Sequence, residues 1–215
     1  IKNDTENIYE NAMNKGRAIL FACKLASEIF RNIQPSDSFG KLRRMFASGI
    51  TPGGFTDNLD SLCSGTTIIR LIAPTGSNTG EIMEHLKKEA LLRGFYTEAF
   101  YCPMDPVRVE HLIIPELNVS VITANVYHDI SDPGGNNCVS YDLREFHDQS
   151  RIGESSDELE FNCTNAEVLM QQAIKCIGKA KKAHDELERY YIKNMDFAGL
   201  NKLQEELVEK ILNYA

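Results

Sequence analysis

The residues with the clearest chemical layout run from position 66 to 86, reading TTIIRLIAPTGSNTGEIMEHL. A β-branched run leads into Ala73, Pro74, Thr75, Gly76, Ser77, Asn78, Thr79, Gly80 and Glu81, and then into helical spacing at Ile82, Met83 and Leu86. Strand, small-residue loop and helix is the layout of a phosphate-binding loop, where backbone N–H groups and a helix N-terminus hold an anion. In the working motif, G-x-x-x-x-G-K-S/T, the lysine reaches the β/γ-phosphates and the hydroxyl holds Mg²⁺. On that frame Ala73 takes the first glycine's place, Asn78 the second, Thr79 the lysine's and Gly80 that of the Ser/Thr. Glu81 falls in the first helical turn, where its carboxylate satisfies the helix dipole and opposes a bound phosphate. The layout is kept and its charged chemistry is stripped.

A second position bears on the same chemistry. The apolar run 118–123 ends at Thr123, where an enzyme of this kind carries the acid that helps to hold Mg²⁺. Three further residues stand near predicted strand ends. Asp105, in the loop 102–106, either faces a ligand or serves ordinary turn chemistry before Pro106. Glu116 and His128 sit near the ends of the next two strands, where a carboxylate with an imidazole could form an acid/base pair. His85, His147 and His184 lie in helical or polar contexts and read as surface residues. The six cysteines show no C-x-x-C and no zinc-site spacing, so no metal site is expected and the thiols read as free and mostly buried.

These residues need elements to position them. Apolar runs at 66–72, 95–101, 111–117 and 119–124 read as strands, with a short strand near 45–47 and a turn at 51–54. A helix is expected from about 79 to 93, ended by Gly94, and a helical turn at 107–112. Strands alternating with helical segments predict an α/β fold with a mostly parallel, doubly wound sheet that binds ligands at the carboxyl ends of its strands. Residues 1–34 read as one helix whose seam is Ala12, Gly16, Ile19, Cys23, Ala26, Phe30 and Ile33. Residues 129–160 read as a polar, turn-rich linker with one ordered piece near 139–146. In the tail, Leu169, Ala173, Cys176, Ala180, Ala183, Leu187 and Tyr190 repeat the seam, and Leu200, Leu203, Leu207 and Ile211 line a last helix capped by Asp196. The expected organisation is an N-terminal helix at 1–34 packing on the C-terminal helices, an α/β domain at 41–150 and a helical hairpin at 163–215.

Composition narrows the partners. The 215 residues carry a net charge of −8, with 42% hydrophobic and 25% charged residues. That balance is ordinary for a soluble globular chain and gives no electrostatic footprint for nucleic acid or an anionic membrane. With no membrane-length apolar run and no signal peptide ahead of the first helix, a cytoplasmic location is expected. The start at Ile1, with a polar lead-in, is expected of a piece of a longer protein.

The blocks RRMFASGITPGGFTDNLDSLC, IIRLIAPTGSNTGEIMEHLKKEALLRGF, YCPMDP, EHLIIPELNVSVITANVYHD and KKAHDELERYYIKNMDF together resemble the C-terminal half of a largely uncharacterised bacterial ATPase family with two tandem P-loop NTPase domains. The resemblance covers nearly the whole chain after Lys41, and rests most on Asp105-Pro106, on Ile113 to Leu117 and on Met195 to Phe197. It implies a P-loop NTPase fold with an appended helical hairpin, an N-terminal P-loop half as partner, and ATP or GTP with Mg²⁺ as ligand. The family reads GKST where this chain reads Asn78-Thr79-Gly80-Glu81, and has an acid where it has Thr123. Two readings follow. One is a degenerate P-loop domain that binds nucleotide or regulates. The other is a structural or interaction module that dimerises through its helical arms.

Overall fold

The computed structural model describes residues 1–77, 79–128 and 137–214. The chain divides into two compact units, Ile1–Ile174 and Lys175–Ala215.

The first unit is built on a six-stranded sheet in the order β1 (Leu42–Met45), β5 (Thr97–Cys102), β6 (Asp105–Ile114), β7 (Val119–Ala124), β4 (Thr67–Ile72) and β8 (Cys138–Asp142). Five strands run one way and β6 runs against them. The sheet is thus mostly parallel, as expected, but β5, β6 and β7 form an antiparallel meander instead of helix-linked crossovers. Their connections are too short for a helix: two residues separate β5 from β6, and a single 3₁₀ turn, Pro115–Leu117, with left-handed Asn118 (φ 54°), separates β6 from β7. The expected helical turn at 107–112 is therefore the middle of β6, paired with β5 and, from His111 onward, also with β7.

Side chains alternate along these strands, so each face gathers its own core. Leu112 and Val121 point to one face, with Leu71 and Ala99, against Met83, Leu86 and Ala90 of α4 (Gly80–Leu92) and Leu25 and Ala26 of α2 (Lys15–Ile29). Ile113 and Ile122 point to the other, with Ile68 and Phe100, under Ala47, Leu59 and Cys63. That second cover is formed around the hairpin of β2 (Ser48–Thr51) and β3 (Gly54–Asp57), turned at Pro52-Gly53 as expected, and by α3 (Leu59–Leu62). Gly94 ends α4 in a left-handed conformation (φ 82°), with Ser36 against it, a geometry that excludes a side chain.

The N-terminal stretch is two helices and not one. α1 (Lys2–Ala12) stops at Met13, which is extended and bridges His147, while the Asn14 side chain accepts from the Arg17 amide and starts α2. The break resets the seam. Gly16, Ile19 and Cys23 are exposed, and α2 buries Ala18, Ala22, Leu25 and Ala26 through its packing on α4.

Part of the expected linker is ordered. β8 is followed by a 3₁₀ turn, Leu143–Phe146, and by α5 (Gln149–Glu154), whose N-cap Asp148 accepts from the amides of Ser150 and Arg151. The stretch 153–157, rich in turn formers, holds the end of α5, a turn at Ser155 and the start of α6 (Ser156–Ile192). The 132–136 segment lies outside the described residues. His147 is buried, packed edge-on against Tyr9, and is not a surface residue. The thiols are free, but only Cys63 and Cys102 are buried, since Cys23, Cys163 and Cys176 sit on outer helix faces.

The second unit holds the end of α6 and α7 (Phe197–Leu212), capped by Asp196 through the Gly199 amide. Leu200, Leu203 and Leu207 stay about half exposed, and Ile211 more so. No helix among the described residues is long and apolar enough to cross a membrane.

Candidate functional site

The site forms where the sheet's geometry gathers three loops. The chain leaves β4 through Ala73, whose amide donates to Ala124 O, and turns through Pro74, Thr75, Gly76 and Ser77 into α4. β7 ends beside it with Thr123 and Ala124, and continues to Asn125 and His128. Because β6 is reversed, its first residues, Asp105 to Glu110, lie at the same end of the sheet. Ligands bind there in open α/β sheets.

Within the loop, the amides of Ser77 and Thr79 donate to Pro74 O and Ser77 O, so the turn uses its own donors. Gly76 is left-handed (φ 87°), and a Cβ on it would stand 2.8 Å from the Thr5 methyl of α1. The hydroxyls of Thr75 and Ser77 are buried without a hydrogen-bond partner. Glu81 is exposed in the first turn of α4. Ala73 belongs to the core. Asn78 lies outside the described residues.

Thr79 Oγ1 and Thr123 Oγ1 are 3.1 Å apart. Thr123 Oγ1 also donates to Glu110 O at 2.9 Å, so its one proton is spent and Thr79 is the donor of the pair. Thr79, placed on the lysine's position by sequence, is a buried hydroxyl bonded to the end of β7, and Gly80 follows as the first residue of α4.

Beside these hydroxyls is a buried charged cluster. His128 Nδ1 lies 2.7 Å from Asp57 Oδ2 and its Nε2 3.3 Å from Glu110 Oε2. Arg108 reaches Glu110 at 3.3 Å and Glu6 of α1 at 2.7 Å. The His111 and His128 rings meet edge-on with centroids 4.8 Å apart, and His111 Nδ1 accepts from the Thr123 amide at 3.3 Å. A β-bulge makes this possible. Phe100 pairs with His111 and Tyr101 with Val109, so Glu110 is an extra residue in β6, and the kink brings its side chain and that of His111 to one cluster.

Burial and charge then set the protonation states. Burial pushes His128 down, but the two carboxylates outweigh it and hold the ring up at about 9. Burial works to raise Glu110, yet the contact with His128 brings it down to about 2. His111, fully enclosed and next to the His128 cation, is lowered to about 3. At neutral pH His128 and Glu110 are an ion pair beside a neutral His111.

The cavity between loop and cluster is about 20 Å³, lined by Ser77, Thr79, Arg108, Glu110, Thr123 and His128 among others. That is room for about one water, against the ~300 Å³ or more of a typical ligand pocket. α1 lies across it through Thr5, through Glu6 on Arg108, and through Lys2, which bonds Asp105 at 2.8 Å.

The residues expected from sequence are thus divided. Thr75, Ser77, Thr79, Thr123 and His128 converge. Asp105 does not line the cavity; the hydrogen bond from Lys2 holds its carboxyl below the usual range. Glu116 is in the 3₁₀ turn before β7, beyond about 13 Å of strand from Thr123, where it accepts from the Tyr96 amide. The acid partners of His128 are accordingly Asp57 and Glu110, not Glu116. Glu110, His111 and Arg108 went unread, although polar residues inside the apolar run VRVEHLII were a signal that this strand faces something other than a core. Comparison with known protein families, with curated proteins and with solved structures finds no match for this chain.

Proposed function

We propose that the α/β body is a P-loop NTPase-like nucleotide-binding module of regulatory character, cytoplasmic, working with an N-terminal P-loop half of the ATPase family that the sequence resembles. The observation that supports this is the 3.1 Å pair of Thr79 and Thr123 hydroxyls where β4, its loop and α4 meet the end of β7. In a hydrolase of this class the same junction holds Mg²⁺ between a loop hydroxyl and an acid. Here two uncharged groups bond each other, with Thr79 on the position that the sequence frame gives to the lysine. Such a junction can seat a nucleotide but lacks the charges that stabilise a phosphoryl transition state. Entry of ATP or GTP with Mg²⁺ requires α1 to lift from the loop.

The test is calorimetric titration with Mg²⁺-ATP and Mg²⁺-GTP of the chain and of a Glu6→Ala variant, alongside a phosphate-release assay. Weak binding that tightens in the variant, with no turnover above buffer, is the expected result. Turnover abolished by Thr79→Ala would overturn the regulatory reading. Silence of both proteins at millimolar nucleotide would overturn nucleotide binding.

A second reading, an interaction module that pairs through its helical arms, is favoured by the apolar positions of α7, where Leu203 is 51% and Ile211 66% exposed. Light scattering over a concentration series distinguishes it, since an oligomer should dissociate when Leu203 and Leu207 are changed to Gln.

A further inference from the structure

We propose that Glu110, His111 and His128 form a binding site for one divalent transition-metal ion, with Zn²⁺ as its representative. A ring nitrogen from each histidine and a carboxylate oxygen lie within 4.8 Å of one another, and all three residues are buried, at 6%, 1% and 3% exposure. Two imidazoles and a carboxylate are a donor set that suits Zn²⁺ and its neighbours. The inference does not rest on the nucleotide reading.

Four features of the cluster fit an ion. First, Glu110 Oε2 and His111 Nε2 are buried atoms without a hydrogen-bond partner, although Oε2 stands 3.3 Å from His128 Nε2. They are close without being aligned as donor and acceptor. Second, that separation is the distance between two ligands of a tetrahedral ion with bonds of about 2.0–2.1 Å, which works out at about 3.3 Å. Third, His128 is oriented from behind by Asp57, 2.7 Å from Nδ1, the carboxylate support typical of metal-bound histidine. Fourth, the cavity beside Glu110 and His128 leaves room for about one water-sized fourth ligand.

The proton balance is simple. His128 keeps its Nδ1 proton on Asp57 and releases its Nε2 proton to solvent, and the ion takes the freed lone pair. His111 is neutral with its proton on Nε2, since Nδ1 accepts from the Thr123 amide; to ligate through Nε2 the ring proton shifts to Nδ1, with no change in the net proton count. The long 3.3 Å contact from the Thr123 amide to Nδ1 is given up in that shift, which is its cost. One proton leaves per ion bound.

An exposed group on α6, His184, Asp185 and Glu188, is the competing explanation for any binding by the chain. The experiment is therefore calorimetric titration of chelator-washed chain with Zn²⁺ in two buffers of different ionisation enthalpy. One equivalent is expected, with about one proton released, unchanged in His184→Ala. His111→Ala should weaken it at least a hundredfold, and Asp57→Asn about 10- to 100-fold. Co²⁺ loading of the unmodified chain provides a readout independent of variant folding: strong visible d–d absorption marks a four-coordinate buried ion. No stoichiometric binding, binding lost in His184→Ala, or only the weak absorption of hydrated six-coordinate Co²⁺ would overturn the proposal.

Discussion

The guanidinium of Arg108 and the carboxylate of Glu6 meet at 2.7 Å, tying the start of β6 to α1. With Lys2 on Asp105 and Thr5 on Gly76, this contact makes α1 a strap across the loop after β4. Glu6→Ala should free the strap at a cost of about 1 kcal/mol, the usual worth of a hydrogen bond to a charged group that keeps some solvent access. Hydrogen exchange should report it as faster amide exchange in α1 and at Ser77. Unchanged exchange there would mean that the strap is held by Thr5 and Lys2 alone.

Gly76 is confined by its own backbone and by its neighbour. Gly76→Ala should destabilise the fold by more than about 1 kcal/mol, because alanine resists a positive φ and its methyl meets Thr5. Thr5→Ala should restore only the part due to contact. Full recovery in the double variant, measured by urea unfolding, would show that the loop relaxes out of the left-handed region.

The two hydroxyls between β7 and α4 should be unequal. Thr79→Val removes one donor and should cost about 1 kcal/mol. Thr123→Val strands both the Thr79 hydroxyl and the Glu110 carbonyl, and should cost about 1–3 kcal/mol. The double variant should be less destabilised than the sum, since the residues share one bond. Strict additivity in denaturant melts would disprove that coupling.

The charged cluster predicts a stability optimum. In chelated protein, His128 is held at about 9 against 6.5 unfolded, so its contribution is complete below pH 6.5 and is lost as pH rises through 9. His111 is lowered to about 3, so the unfolded chain takes up a proton below pH 6.5 that the folded one refuses, and stability falls as pH falls toward 3. Glu110, at about 2 against 4.5, adds a loss as pH falls from 4.5 through 2. Each unit of difference is worth about 1.4 kcal/mol, so the maximum should sit near pH 6.5. His128→Gln should flatten the alkaline limb and shrink the fall below pH 6.5 without abolishing it, because burial still holds His111 down.

The sequence pattern was most informative where local chemistry decides structure. The β-branched run before Ala73, the apolar spacing from Ile82 to Leu86 and the stop at Gly94 each carry their own cause, and β4, its loop and α4 followed. The break at Met13 did not show, because it depends on a bridge to His147 more than a hundred residues away. The same holds for the site. Thr79, Thr123 and His128 could be picked as chemical residues near strand ends, but their partners could not. Glu110 and His111 are neighbours in sequence, which on a regular strand would separate them to opposite faces. Only the bulge opposite Phe100 and Tyr101 brings them together, and a bulge leaves no residue signature in VRVEHLII.

The reversal of β6 has a further consequence. In an all-parallel sheet the side chains at the ligand end come from the last residues of strands and from the loops beyond them, and each loop can move or lengthen on its own. A reversed strand instead delivers Arg108, Glu110 and His111 from its body, anchored where His111 pairs with both β5 and β7. These residues inherit the stiffness of the sheet, and their spacing changes only by whole-residue steps of register. Inserting one residue in the turn at Pro103 and Met104 would leave them in place, whereas deleting one from the bulge would turn Glu110 or His111 away from the cluster.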